Sequence, residues 1–214
     1  MAMNIVNKIE ITAKKYFSKQ TGCHDWEHTQ RVYNMAVHIG KKEKANLLVI
    51  KLAAFLHDIE RHKEDKSKGR VCHAKMGAET AKKVLKKYSI EEKIINQVLH
   101  CIKSHRFRKN VIPETLEAKI LFDSDKLDAI GAVGIARAYH FSGVVGSRLH
   151  DKYIDINKTK LYTVEDTGYR EYLVKLRHVK KKIFTKEGKR IAQERHRFME
   201  NFFYRLNREV DGKI

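Results

Sequence analysis

The run Leu47–Leu56, LLVIKLAAFL, contains one charged residue, Lys51, and is followed at once by His57 and Asp58. A helix that is apolar on nearly every side has to be buried, so any fold of this chain must pack other elements around this one. The His57-Asp58 pair is then delivered at the end of a buried helix, where ionisable groups are costly unless something compensates them. Two compensations suit the pair. One is a salt-bridged arrangement in the core, and the other is a divalent cation, for which neutral imidazole and carboxylate are ordinary ligands. This stretch alone leaves both open.

The flanking sequence reads as helix. With one proline and 11 glycines in 214 residues, little in the chain favours disordered linkers or a turn-rich β fold. Ile5, Ile9, Ala13, Tyr16 and Phe17 recur at helical spacing and predict a first helix ending before Thr21-Gly22. Asp25 is placed to cap a second, with His28 three residues in, Arg31 on the face of His28, and Trp26, Val32, Met35, Ala36 and Ile39 as the apolar stripe. After the central run, the polar stretch 64–70 reads as an exposed loop at the lip of a site. His73, Met76, Ala78, Ala81, Val84 and Leu85 mark another helix. Ser89 and Glu92 form a Ser-x-x-Glu capping pattern for the next, which carries Ile94, Ile95, Val98, Leu99 and Ile102, with His100 and His105 near its end. Pro113 suits the first turn of a further helix. Leu116, Ile120, Leu121, Leu127 and Ile130 form the apolar face of that helix, Asp123, Asp125 and Asp128 interrupt a segment otherwise destined for the interior, and Gly131 and Gly134 mark a break or a close approach. Residues 142–168 lack apolar repetition and read as a long loop. A helix bearing Tyr172 to Ile183 and a last long one bearing Ile191 to Leu206 follow. The expectation is an all-α bundle of roughly seven to nine helices, in one domain spanning residues 1–214.

Lysine and arginine number 45 against 26 aspartate and glutamate, a net charge of +19. That is either a solvated cationic surface or a field that draws in phosphate-bearing ligands or nucleic acid, although no helix-turn-helix or aromatic-interleaved basic motif supports the last. Cys23, Cys72 and Cys101 lie far apart, without zinc-ribbon or disulfide spacing. No apolar stretch reaches ~18 residues and the N-terminus has no signal pattern, so the expectation is a soluble cytoplasmic protein without a membrane partner.

His28, His57, Asp58 and Asp125 stand out as ligand types on three separate predicted helices, and helical bundles build metal sites by projecting such side chains inward. Two imidazoles and two carboxylates suit Mn, Fe, Co, Ni or Zn. His24 and His38 read as structural histidines.

The segments HDWEHTQRV, AAFLHDIERHK, HAKMGAE, HCIKSHRFR, ILFDSDKLDAIGAVGIARA and TKEGKRIAQERHRFMENFF, in this order, resemble the single-domain bacterial and archaeal members of the HD-domain metal-dependent phosphohydrolase superfamily. Some of that group are nucleoside triphosphate pyrophosphohydrolases. The resemblance implies an all-α HD fold and hydrolysis at phosphate by metal-activated water, with His28, His57, Asp58 and Asp125 as ligands of one divalent metal. Mn leads the candidates, with Fe, Ni, Co, Zn or Mg as others. It favours Asp125 over Asp123 because Asp125 precedes the Lys-Leu pair. His73 and His105 match positions that hold a second ion in the two-metal branch, and here they contact substrate phosphate, hold a weak second ion or are structural. Asp58 doubles as proton acceptor, and Lys126 and Arg31 neutralise phosphate oxygens. Glu60 is a candidate for orienting the attacking water, or else a solvated carboxylate at a helix end. The implied substrate is a small anionic phosphate compound, a nucleotide. The alternatives are a two-metal phosphodiesterase on a cyclic or oligonucleotide, and a non-enzymatic nucleic-acid-binding module. The oligomeric state is left open.

Overall fold

The computed structural model describes residues 4–18, 24–67, 70–106 and 111–214. Its helices are α1 (Ile5–Lys14), α2 (Trp26–Lys42), α3 (Leu47–Leu56), α4 (Arg61–Lys66), α5 (His73–Lys87), α6 (Glu92–Ser104), α7 (Leu116–Asp128), α8 (Gly131–Val145), α9 (Gly168–Val174) and α10 (Lys186–Val210). Lys15–Phe17 and Leu176–Lys182 form 3-10 helices. No strand occurs among the described residues, so the chain is all-α. The expected boundary at Thr21-Gly22, and Cys23, lie outside the described residues. Two compact units divide the chain: Met1–Asp125 with Phe184–Glu187, and Lys126–Ile183 with Gly188–Ile214.

In the first unit α3 is the buried helix its composition demands. Val49, Ile50, Leu52, Ala53, Ala54 and Leu56 are fully buried, and α1, α2 and α6 pack on it. The Asn46 side chain starts α3 by accepting from the Leu48 and Val49 amides at 3.1 and 3.3 Å. Asp25 caps α2 as its position predicts, accepting from the His28 amide at 2.8 Å. Trp26 and Tyr33 of α2 both stack on Phe55, with ring centroids 5.8 and 4.3 Å away, which fixes the register of α2 against the end of α3.

Three local expectations need correcting. The stretch read as an exposed loop begins inside α4, and Glu64 there is buried. Its polar neighbours hid an inward carboxylate, whose partner His73 is nine residues away. Ser89 does not cap α6. It adopts a left-handed conformation (φ 54°) and closes the turn after α5 by donating its amide to the Lys86 carbonyl at 3.2 Å, so α6 starts after Glu91. Pro113 precedes α7, whose first turn is instead held by the Thr115 hydroxyl accepting from the Ala118 amide at 3.2 Å.

In the second unit, α8 starts at Gly131, whose φ of 78° an L side chain rarely adopts. A Cβ there would also sit 2.9 Å from Arg195 Cγ. Gly134 admits the Ala129 carbonyl where a Cβ would be 2.2 Å from its oxygen. Asp128 interrupts the apolar face of α7 because Arg137 donates to it at 2.5 Å. Helix α8 reaches Val145, which shortens the irregular stretch to 146–167. The single helix expected over Tyr172 to Ile183 breaks at Lys175 (φ −136°, ψ −57°) and continues as 3-10 turns. Tyr172 stacks on Phe203 of α10 at 4.3 Å. Among the described residues no helix is long and apolar enough to cross a membrane.

Candidate metal centre

All the residues that converge here belong to the first unit. His57 terminates α3 and Asp58 begins the turn that follows. The two are 0% and 2% exposed. Around the Asp58 carboxylate stand five imidazoles from four regions of the chain. On its Oδ2 side are His24 Nδ1 at 3.2 Å, His57 Nε2 at 3.7 Å and His28 Nε2 at 3.8 Å. On its Oδ1 side are His73 Nε2 at 2.9 Å and His105 Nε2 at 3.4 Å. Asp125, from α7, places Oδ1 3.5 Å from His28 Nε2, and the His28 and His57 Nε2 atoms are 3.4 Å apart. Their ligand atoms form three trios, each with all members within 4.8 Å of one another: His28, His57 and Asp125; His24, His28 and Asp58; and Asp58, His73 and His105.

The backbone decides which ring nitrogens face the centre. His57 Nδ1 lies 2.8 Å from the Ala54 carbonyl and His105 Nδ1 2.6 Å from the Ile102 carbonyl. A carbonyl oxygen only accepts, so each Nδ1 carries the proton and donates, leaving each Nε2 a lone pair aimed at Asp58. Lone pairs facing a carboxylate repel unless a cation lies between them. Asp58 Oδ1 is in addition buried without a hydrogen bond among the described residues, an arrangement that costs free energy in a structure closed on itself. Imidazole nitrogens with carboxylate oxygens are a donor set for a divalent transition metal, so the residues present fit such an ion.

Electrostatics agree with that fit. Burial pushes the His57 imidazole down to about 4, against the pull of Asp58, and burial lowers His24 and His105 as well. Burial alone would raise the Asp58 carboxyl, but positive charge or protons carried toward it by the imidazoles of His57, His105, His24 and His73 hold it well below the ordinary range, as a cation in their midst would. Both shifts keep the groups in the form that binds a cation rather than a proton. They also set a pH dependence. Between the ordinary histidine value of 6.5 and about 4, the unfolded chain binds a proton at His57 that the folded chain refuses, so stability falls on acidification through that window. The melting temperature of metal-free protein is expected to drop steadily from pH 7 to pH 4.5, and a flat profile would contradict the buried neutral imidazole.

The remaining residues singled out in the sequence are placed as follows. His73 and His105 join the centre on the Oδ1 side of Asp58. Arg31 lies one turn beyond His28 on α2 and is half-buried. Lys126 follows Asp125 on α7, is half-buried, and opens the second unit. Glu60 is not a solvated carboxylate: it is 3% exposed, accepts from the Thr80 hydroxyl at 2.7 Å and pairs with Lys63 at 2.7 Å. Asp123 points elsewhere, accepting from the Phe184 amide, the Thr185 amide and the Thr185 hydroxyl at 2.9, 2.7 and 2.6 Å. His38 pairs with Glu187 at 2.8 Å, as a structural histidine would. His24, expected from the sequence to be structural as well, instead reaches Asp58 at 3.2 Å. It precedes the Asp25 cap, so no helical periodicity links it to the centre.

The HD domain profile matches residues 25–130, a span that contains His28, His57, Asp58, His73, His105 and Asp125. An uncharacterized protein of Bacillus subtilis, YpgQ, is 31% identical over 209 residues, covering 96% of this chain and 93% of YpgQ. The chain belongs to the HD domain family. Solved HD-family structures share its fold. An HD-superfamily hydrolase from Bacillus thuringiensis is 29% identical with a TM-score of 0.76, over 96% of each chain. YpgQ in complex with ADP is 28% identical with a TM-score of 0.73, over 98% of this chain and 100% of that one. In this HD protein, then, the adjacent His57-Asp58 pair lies at the focus of a cluster able to hold a divalent metal.

Proposed function

We propose that this protein is a metal-dependent phosphohydrolase acting on a nucleotide, of the nucleoside triphosphate pyrophosphohydrolase kind. The observation that carries the reading is the buried Asp58 carboxylate, one oxygen of which lacks a hydrogen bond among the described residues while the His105 Nε2 lone pair faces it. His28, His57, Asp58 and Asp125 hold the ion in this reading. A divalent cation there lowers the pKa of water and polarises a phosphoryl oxygen. The ADP bound by YpgQ supports a nucleotide as the substrate class, and the net charge of +19 helps to gather polyanionic substrates.

The protein's own groups divide the remaining work. Arg31 and Lys126 offset charge spreading over the phosphoryl oxygens as water attacks in line with the leaving group, whereas His105, whose one ring proton is given to the Ile102 carbonyl, has none to donate to phosphate. The carboxyl of Asp58 is held so low that it serves better as a ligand than as the final resting place of a proton. His24, 3.2 Å from Asp58 and with 33% of its side chain exposed, is placed to pass that proton on to solvent. Glu60, tied to Thr80 and Lys63, acts by holding the turn after Asp58 rather than by touching water.

A second reading, a phosphodiesterase on a cyclic or oligonucleotide, draws on the Asp58, His73 and His105 trio, which offers a place for a second ion. One assay separates the two: nucleoside mono-, di- and triphosphates and cyclic and linear dinucleotides, each with Mn, Mg, Ni and Co. Pyrophosphate release from triphosphates supports the first reading. Cleavage of diesters alone contradicts it, and no turnover with any ion contradicts both.

A further inference from the structure

Helix α4 is six residues long, too short to persist without tertiary support, and it follows directly from the turn that bears Asp58. Its Glu64 is 4% exposed and makes contacts that together look built for a purpose. Glu64 Oε2 accepts from the backbone amide of His73 at 3.1 Å, lies 2.8 Å from His73 Nδ1, and pairs with Arg106 just past the end of α6. The residue before α5, Cys72, gives its helix no side-chain cap, so the cap at His73 comes from another helix.

His73 thus stands between two carboxylates, with Glu64 on its Nδ1 and Asp58 on its Nε2 at 2.9 Å. The Arg106 and Arg61 guanidiniums lie 3.0 and 3.5 Å from the same Nδ1. A guanidinium only donates, so it cannot share Nδ1 with a ring proton. It is the Glu64 carboxylate, the nearer group, that claims that proton while Arg106 neutralises the carboxylate.

We infer that Glu64 is a positioning residue: it keeps the proton of His73 on Nδ1 and the Nε2 lone pair turned toward Asp58, and so prepares the Asp58, His73 and His105 trio to take an ion. The inference rests on reading that trio as an ion site. Carboxylates that accept from the far nitrogen of a ligand histidine orient it and raise its basicity, and losing one typically costs about 10–100-fold in metal affinity. Without Glu64, the His73 proton moves to Nε2, where Asp58 accepts it and the ion is shut out.

The test uses the full chain with Glu64→Ala and Glu64→Gln, the second retaining an amide oxygen that can accept from Nδ1. Nitrogen-15 NMR of the histidine rings, with Mg2+ as a diamagnetic probe, reads the His73 tautomer, and a Mn2+ titration followed by EPR reads stoichiometry and affinity. Glu64→Ala should move the His73 proton from Nδ1 to Nε2 and weaken the second Mn2+ by about 10–100-fold, leaving the first unchanged. Glu64→Gln should keep the proton on Nδ1 and lose less affinity. An unchanged tautomer in Glu64→Ala, or in Glu64→Gln an unchanged ring alongside the full affinity loss, overturns the positioning role. If wild type binds one Mn2+ while Glu64→Ala still moves the proton, the two-ion reading fails and the positioning of His73 stands.

Discussion

Asp58→Ala is expected to abolish metal-dependent turnover and to leave the fold intact. Asp58 is the one side chain shared by the His24 and His28 trio and the His73 and His105 trio. Its removal therefore withdraws the negative charge that makes a cluster of buried imidazoles welcome a cation. Loss of an outer partner of a metal ligand already costs about 10–100-fold, and loss of this shared carboxylate should exceed that in both metal affinity and rate. The substitution shrinks a side chain beside neutral imidazoles, so circular dichroism and a cooperative melt should be retained. Steady-state assays across metal concentrations, set beside a melt, check both halves. Retained turnover at saturating metal would remove Asp58 from the chemistry.

The second large effect separates two aspartates that stand two residues apart on α7. Asp123→Ala strips acceptors from three donors, the Phe184 amide, the Thr185 amide and the Thr185 hydroxyl. The two Thr185 donors are buried and a buried donor left unpaired costs about 1–3 kcal/mol, so the substitution should destabilise by at least about 2 kcal/mol and lower the melting temperature by at least roughly 4–8 °C in a chain of this size. Asp125→Ala should do the reverse. Its carboxylate faces His28 at 3.5 Å with 12% of the side chain exposed, so little stability is lost while metal affinity falls. Thermal melts and Mn2+ titrations of the two variants give this double dissociation. Equal melting temperatures, or metal loss only in Asp123→Ala, would reverse the assignment.

How far the sequence could be read follows from where each signal lies. Leu47–Leu56 states its burial in its own composition, and the His57-Asp58 pair at its end follows from chain order, so the centre of the site is legible in one stretch. The Asp25 cap is likewise a local pattern. Asp123 and Asp125 cannot be told apart by residue type, because both are carboxylates in a segment otherwise destined for the interior. Only the return of the chain at Phe184 and Thr185 gives Asp123 its work. Glu64 is hidden among polar neighbours for the same reason, since what buries it is the approach of α5 and of Arg106. His24 lies before a helix and outside any periodicity, so its arrival at Asp58 is a fact of tertiary structure. Ser89 shows the opposite error, in which a capping pattern is present but the residue is spent on ending the previous helix.

If folding gathers these imidazoles and carboxylates around a cation, anomalous diffraction at the Mn edge from crystals grown with Mn2+ will locate it. The expected result is a peak within bonding distance of Nε2 of His28, Nε2 of His57 and carboxylate oxygens of Asp58 and Asp125. Absence of any anomalous peak among these four residues, with Mn2+ bound elsewhere or not at all, would contradict that gathering.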